Sequence, residues 1–138
     1  MRKVVVIDGQ GGKLGRIIIE QLKAATDIEI MAIGTNSIAT ATMLKAGANY
    51  GATGENPVLV NCRDADIVVG PIGIIATDAL HGEVTAAMAM AVGASAAQKV
   101  LLPVSRCKIS VMGIAPMSTA ELVGLAVKHV LKLMRDNK

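Results

Sequence analysis

The sequence has almost no aromatic residues: Tyr50 is the single one among 138 residues, and Phe and Trp are absent. The hydrophobic core must therefore be built from aliphatic residues, Ala and the eight Met. Proteins that bind single-stranded nucleic acid usually combine aromatic stacking platforms with a basic groove. Here the net charge is only +3 and no basic run accompanies it. The sequence therefore predicts no nucleic-acid partner.

Long apolar runs and paired cysteines are also lacking. The longest apolar candidate, residues 84–97, is Ala-rich and is interrupted by Gly93 and Ser95, so it is too short to cross a membrane. We expect no membrane partner. Cys62 and Cys107 lie in no CxxC pair, which suits a reducing compartment, and we expect a cytoplasmic protein. Neither cysteine has an assigned role, and no metal-ligand cluster is predicted.

Length and hydropathy bound the architecture. A chain of 138 residues can form one domain with a real core, and we expect a single domain over residues 1–138. The hydrophobic fraction of 52% and the mean hydropathy of +0.52 exceed what one small core easily buries. We therefore expect a homo-oligomer. The Ala- and Met-rich segment 84–97 could form the contact surface, or it could be buried within its own subunit.

The hydrophobic pattern predicts strands that alternate with helices. Strands are predicted at residues 3–7, 28–33, 48–52, 66–69, 99–104 and 108–112. Helices are predicted from residue 14, over 36–46, over 57–63 with Asn56 as N-cap, after residue 73 with a break near His81, and over 118–135. The last of these helices opens with a capping box, Ser118 to Glu121.

This alternation predicts an α/β fold. Parallel strands joined by right-handed crossovers give an open, mostly parallel sheet with helices on both faces, in three layers. The last two predicted strands follow one another without a helix, so they could form a hairpin.

The stretch VVVIDGQGGKLGRIIIEQL joins an apolar strand to an amphipathic helix through a glycine-rich loop. Unpaired N–H groups and the helix dipole favour an anion at such a place, and glycine allows close approach. We predict a phosphate site formed by Asp8, Gly9, Gln10, Gly11, Gly12, Lys13, Leu14 and Gly15. The alternative is that these glycines only turn the chain and permit tight packing.

The glycine spacing is GxxGxxG, which fits neither the GxGxxG dinucleotide fingerprint nor the P-loop. Over about the first thirty residues the chain resembles reductases of the extended short-chain dehydrogenase type and of the dihydrodipicolinate reductase type. That resemblance implies NAD(P) or another nucleotide as cofactor. The second strand, however, is followed by GTNS, with no acidic residue for ribose and no Arg for a 2′-phosphate. An ordinary NAD site is therefore less favoured.

Polar and glycine-rich segments follow two further strands. In open α/β sheets, ligands bind at the carboxyl ends of the strands, where the strand order reverses. We therefore expect two more segments to line the site: Thr35, Asn36 and Ser37 after the second strand, and Gly70, Pro71, Ile72 and Gly73 after the fourth. The same residue types also suit plain turns and helix caps.

Candidates for acid–base chemistry gather in the segment TDALHGEVT, which holds Asp78, His81 and Glu83. On a helix, Asp78 and His81 would be three residues apart and could touch. The alternative is a helix end with solvated polar groups. Arg106 could bind a carboxylate or a phosphate. No recognised catalytic signature accompanies these residues, so the sequence leaves catalysis open.

Several segments together, among them IDGQGGKLG, GATGENPV, VNCRDADIVVGPIGI and LPVSRC, resemble a small bacterial family of single-domain proteins described as a domain of unknown function. The resemblance extends over nearly the whole chain. It implies a Rossmann-like fold and names no substrate.

These observations predict a protein that binds a nucleotide, a dinucleotide or another phosphate-bearing small molecule at residues 9–15. One alternative is an NAD(P)-dependent reductase with its active site near His81 or at an oligomer interface. A second alternative is a non-catalytic interaction or scaffold protein whose glycine loop is only a turn.

Overall fold

The computed structural model describes residues 3–104 and 108–136. The strands of this part of the chain are β1 (Val4–Asp8), β2 (Ile30–Gly34), β3 (Tyr50–Thr53), β4 (Ile67–Pro71) and β5 (Gln98–Leu102). Its α-helices are α1 (Lys13–Ala25), α2 (Ser37–Lys45), α3 (Glu55–Cys62), α4 (Ala86–Ala94) and α5 (Thr119–Asp136). A short 3-10 helix, Ile72–Ile75, follows β4 directly.

The five strands form one parallel sheet in the order β3-β2-β1-β4-β5. β1 lies at the centre, where Val4 is in register with Ile30 of β2 on one side and Ile67 of β4 on the other. The predicted α/β class with a Rossmann-like parallel sheet is therefore confirmed. The carboxyl ends of β1 and β4 are neighbours at the point where the strand order reverses.

Alternate residues of β1 face two different hydrophobic clusters. Val4 and Val6 pack in a cluster with residues of α1, α2 and α5, whereas Val5 and Ile7 pack in one with residues of α3 and α4. This two-sided burial explains why the strand is a continuous β-branched run rather than an alternating one. The predicted layer of helices on each face is confirmed.

The sixth predicted strand, residues 108–112, is wrong. Those residues form bends, a turn and irregular backbone, and all of their side chains are exposed. Ile109 and Val111 alternate with polar neighbours, which is typical of a strand with one buried face. That face is open to solvent, since Ile109 is 41% and Val111 is 42% exposed. The possible hairpin with β5 is therefore not formed.

The start of α3 also differs from the prediction, which placed the N-cap at Asn56. The helix begins at Glu55 after Gly54, whose φ of 98° only glycine adopts easily. Pro57 is consequently the third helical residue. It is tolerated there because the amides of the first turn have no partner within the helix.

The capping box that opens α5 is confirmed. The Ser118 amide donates to the Glu121 carboxylate and the Glu121 amide donates to the Ser118 hydroxyl, both at 3.1 Å. These bonds pair two donors that would otherwise be left at the helix start. Within residues 3–104 and 108–136, none of the helices is both long and apolar enough to span a membrane.

Adjacent glycines in the first loop have different surroundings. Gly12 adopts a φ of 76°, and a Cβ placed there would lie 2.9 Å from the Ala39 backbone in α2. A Cβ at Gly11 would meet no atom within 4 Å. Gly12 is therefore required by the fold, whereas Gly11 is not.

We predict that Gly12→Ala lowers the free energy of unfolding by about 1–3 kcal/mol, because alanine in the left-handed region is strained and its methyl would push α2 away. Gly11→Ala should change it by less than about 0.5 kcal/mol. Urea denaturation of both variants measures this difference. Equal stability of the two variants would contradict the assignment.

Candidate functional site

The buried carboxylate of Asp8 lies at the carboxyl end of β1 and is 6% exposed. It accepts hydrogen bonds from the amide of Gly9 at 2.8 Å and from the amide of Gly15, in the first turn of α1, at 2.7 Å. Burial raises the pKa of Asp8 above its usual value, although the amide bonds from Gly15 and Gly9 oppose that rise. Asp8 therefore occupies the amides of Gly9 and Gly15 from within the chain.

A second carboxylate, that of Glu83, joins the loops that follow β1 and β2. Its Oε1 accepts from the Gln10 amide at 2.8 Å, from Thr35 Oγ1 at 2.6 Å and from Asn36 Nδ2 at 2.8 Å. Desolvation would raise the pKa of Glu83, but the bonds from Thr35, Gln10 and Asn36 and the nearby His81 outweigh it and hold the pKa below its usual value. Glu83 is thus held as an anion.

The segment that carries Glu83 is a series of turns, not the predicted helix. Asp78, Leu80 and His81 have left-handed φ values of 65°, 57° and 57°. The Asp78 amide donates to the Val84 carbonyl at 2.7 Å, which closes the segment into a loop. The predicted helical pairing of Asp78 with His81 is therefore wrong, and both residues are exposed. Their proposed part in acid–base chemistry stays a prediction.

A cavity of about 470 Å³ lies at the carboxyl ends of β1 and β4. Its volume falls in the range typical of small-molecule sites. Of the residues predicted to bind a ligand, the consecutive residues 8–14 line it, together with Pro71 and Gly73. The structure thus brings the first loop and the segment after β4 to one place, as expected for this topology.

Two predicted glycines pack against protein instead of lining this cavity. A Cβ at Gly15 would lie 2.5 Å from Met43 Sδ in α2, and one at Gly70 would collide with the carbonyl oxygen of Ile7 in β1. Ile72 faces a separate cavity of about 290 Å³. For Gly15, the packing alternative describes what the structure contains.

The three predicted residues after β2 also lie apart from the cavity lining. Thr35 and Asn36 donate to Glu83, and Asn36 additionally caps α2 by accepting from the Ala39 amide at 2.9 Å. Ser37 is exposed at the first position of α2. Two of the three donors expected for a ligand phosphate or ribose, Thr35 and Asn36, are therefore bound to an internal carboxylate in this structure.

Sequence reasoning missed part of the lining: Ile17, Leu80, Val104 and Thr119. A signal existed only for Thr119, because it follows the capping-box serine and helices after parallel strands begin at the carboxyl end of the sheet. Leu80 could not be found, since its place depends on left-handed backbone in the turn.

Two amides of the first loop remain unpaired. Within the described chain, the N–H groups of Gly11 and Lys13 have no hydrogen-bond partner. The Lys13 side chain is exposed at the first position of α1, and the first turn of α1 holds no acidic residue. Both residues line the cavity.

The remaining candidates are placed as follows. Cys62 is buried, and burial raises the pKa of its thiol. Arg106 and Cys107 lie outside the described residues. In residues 3–104 and 108–136, His, Cys, Asp and Glu form no group of three or more placed to hold a metal ion.

The chain belongs to the family described as Domain of unknown function (DUF3842), whose model matches residues 3–135. The resemblance to such a family is therefore confirmed. No curated protein matches the chain.

Among solved structures, the chain is similar to the crystal structure of a dodecameric FMN-dependent UbiX-like decarboxylase from Escherichia coli O157:H7. It shares 15% identity with this chain at a TM-score of 0.46. The match covers 97% of this chain and 94% of the other.

The lowered pKa of Glu83 leads to a test of its structural role. Ionised Glu83 stabilises the fold above its ordinary pKa of 4.5, and this contribution is lost as the pH falls through the lower folded value. We predict that Glu83→Gln costs about 1 kcal/mol at pH 7, because the charge-assisted bonds become neutral ones. The cost should be smaller at pH 3 than at pH 7, as measured by urea denaturation at both pH values.

The matched control is Glu29→Gln, which changes an exposed carboxylate at the opposite end of β2. It should show no comparable pH-dependent loss. A Glu83→Gln cost that is the same at both pH values would contradict a charge-dependent role.

Proposed function

We propose that the cavity at the carboxyl ends of β1 and β4 binds a nucleotide or another phosphate-bearing small molecule. The observation that carries the proposal is the pair of unpaired amides, Gly11 and Lys13, beside the exposed Lys13 side chain at the rim of this cavity. Backbone N–H groups at a helix start, together with an ammonium group, suit a phosphate.

The distribution of paired and unpaired amides in the loop supports an anion beside Gly11 and Lys13. Asp8 already pairs with the inner amides of Gly9 and Gly15, so those donors are satisfied without a ligand. The outer donors, Gly11 and Lys13, face no internal carboxylate in the described residues. A ligand phosphate there would accept hydrogen bonds from the two unpaired amides, while Asp8 keeps its bonds to Gly9 and Gly15.

The shape of the cavity supports a ligand larger than inorganic phosphate. Apolar residues Leu14, Ile17 and Leu80 line it beside the donors, and Thr119 lines it from the start of α5. Such a mixture of apolar wall and few polar groups is usual in small-molecule sites. The phosphate would be held by the loop and the organic part by the apolar wall.

The proposal predicts a thermal shift with phosphate-bearing probes. Orthophosphate, pyrophosphate, ADP, FMN, NAD(H) and NADP(H) would each be added to protein shown to carry no co-purified ligand. A probe at one hundred times its Kd stabilises by about 2.7 kcal/mol, which is several degrees for a domain of this size. Gly11→Asp should weaken binding about tenfold or more, because the new carboxylate would repel the phosphate. The side chain itself fits, since a Cβ at Gly11 meets no atom within 4 Å.

The matched control for that variant is Gly124→Asp, since a Cβ at Gly124 in α5 also meets no atom within 4 Å. This variant should keep the wild-type response. No shift with any probe would contradict the proposal and favour an interaction protein whose loop is only a turn. A shift with NAD(H) or NADP(H) alone would favour the reductase alternative.

The proposal includes self-association. Met88, Ala89 and Val92 of α4 are buried within the chain, so this helix is partly used in its own subunit, but Met90 is 72% exposed. We expect sedimentation velocity at micromolar concentration to give a mass above that of the 14.2 kDa chain. A monomer under those conditions would be the contrary result.

A further inference from the structure

Three hydrogen-bond donors converge on one point beside the cavity. The Gln10 amide, Thr35 Oγ1 and Asn36 Nδ2 all lie 2.6–2.8 Å from Glu83 Oε1. These donors come from two separate loops, after β1 and after β2, whereas their shared acceptor comes from the turn after β4. In the described chain no hydrogen bond is made by Glu83 Oε2. A single carboxylate oxygen therefore fills a pocket of three donors.

The occupant of that pocket can leave without unfolding its own segment. Ala79 and Leu80 anchor the turn, because they are 9% and 7% exposed, whereas Glu83 itself is only partly buried. Rotation of the Glu83 side chain toward solvent would break its three bonds and leave those anchors in place. An incoming oxyanion would re-form the same bonds.

The donor pocket borders the proposed ligand cavity. Gly9 and Gln10 line the cavity, and a Cβ at Gly9 would lie 2.9 Å from Glu83 Oε1. The charged and titratable groups near Glu83 are Asp8 and His81. Replacement of the Glu83 carboxylate by a ligand oxyanion keeps one negative group in the pocket, so it adds no charge beside Asp8.

We propose that Gln10, Thr35 and Asn36 form an oxyanion-binding subsite, which Glu83 fills from within the chain and from which a carboxylate or second phosphate of the ligand displaces it. The subsite itself stands on the three donors. The displacement by a ligand rests on the proposed function. The ligand class that follows carries two anionic groups, one at Gly11 and Lys13 and one at this subsite.

Chemical rescue tests the subsite without any knowledge of the ligand. Glu83→Ala empties the donor pocket, so sodium acetate should raise its Tm above that in sodium chloride of equal ionic strength. With acetate at about ten times its Kd, the difference should be about 4 °C. Wild-type protein should show no such difference, because Glu83 already fills the pocket.

Two further variants make the rescue specific. Glu29→Ala removes an exposed carboxylate elsewhere and should gain nothing from acetate. Adding Thr35→Val to Glu83→Ala removes one donor and should abolish most of the rescue. If Glu83→Ala is recovered only unfolded, refolding in acetate but not in chloride is the same rescue. An equal response to both salts in every variant and preparation would overturn the subsite.

Hydrogen–deuterium exchange on wild-type protein with pyrophosphate tests the displacement. Binding should increase exchange in residues 77–84, because their link to Gln10, Thr35 and Asn36 is broken. Pyrophosphate binding with unchanged exchange would overturn displacement and leave the proposed function standing. Absence of pyrophosphate binding would remove the ligand part of the inference, while acetate rescue would still decide the subsite.

Discussion

The buried carboxylate of Asp8 holds the start of α1 against the end of β1, and the first loop is built around it. A charge at that depth is costly unless hydrogen bonds surround it, and the amides of Gly9 and Gly15 provide them. Because this one carboxylate accepts hydrogen bonds at both ends of the loop, the backbone conformation of residues 9–15 is restricted. The Glu83 carboxylate adds a further hydrogen bond at the Gln10 amide. Among the described residues, the amides of Gly11 and Lys13 have no hydrogen-bond partner and remain available to a ligand.

The GxxGxxG spacing is explained by packing at each of its glycines. A Cβ at Gly9 would meet Thr35, Leu80 and Glu83, one at Gly12 would meet α2, and one at Gly15 would meet Met43. Gly11, which lies outside the repeat, is the loop glycine with open space around it. The three glycines are therefore needed because α2 and the turn after β4 pack closely against the loop and the start of α1. The amide of Gly11 is one of the two proposed to bind the ligand phosphate.

Local patterns predicted most of the sheet and helices because their causes are local. The β-branched run of β1, the amphipathic period of α1 and the capping box of α5 each depend on neighbouring residues. The strand expected at 108–112 failed because a strand also needs a neighbouring strand and a covering layer, which residues 108–112 do not reveal. The first part of the helix expected after residue 73 is replaced by turns, because Asp78, Leu80 and His81 adopt left-handed backbone, which leucine rarely adopts.

The candidate site was predictable in part for the same reason. The loop itself is contiguous, so residues 8–14 could be found from one stretch of sequence. The partnership of Glu83 with Gln10 joins residues 73 positions apart, and no local pattern encodes it. No acidic residue directly follows β2 in the sequence. The carboxylate that lies there in space comes from another part of the chain.

The central position of β1 in an all-parallel sheet also governs how the chain folds. Val4 pairs with Ile30 of β2 on one side and with Ile67 of β4 on the other. Because β1 comes first in the chain, it can pair on both sides only after β4 has been synthesised. Each pairing closes a long loop before it gains stability, which slows folding relative to proteins with local contacts. The apolar β1 run must therefore spend an interval with an open edge on a nascent chain. Until β2 and β4 have both paired with it, this apolar edge is a site where a partly folded chain is prone to aggregate.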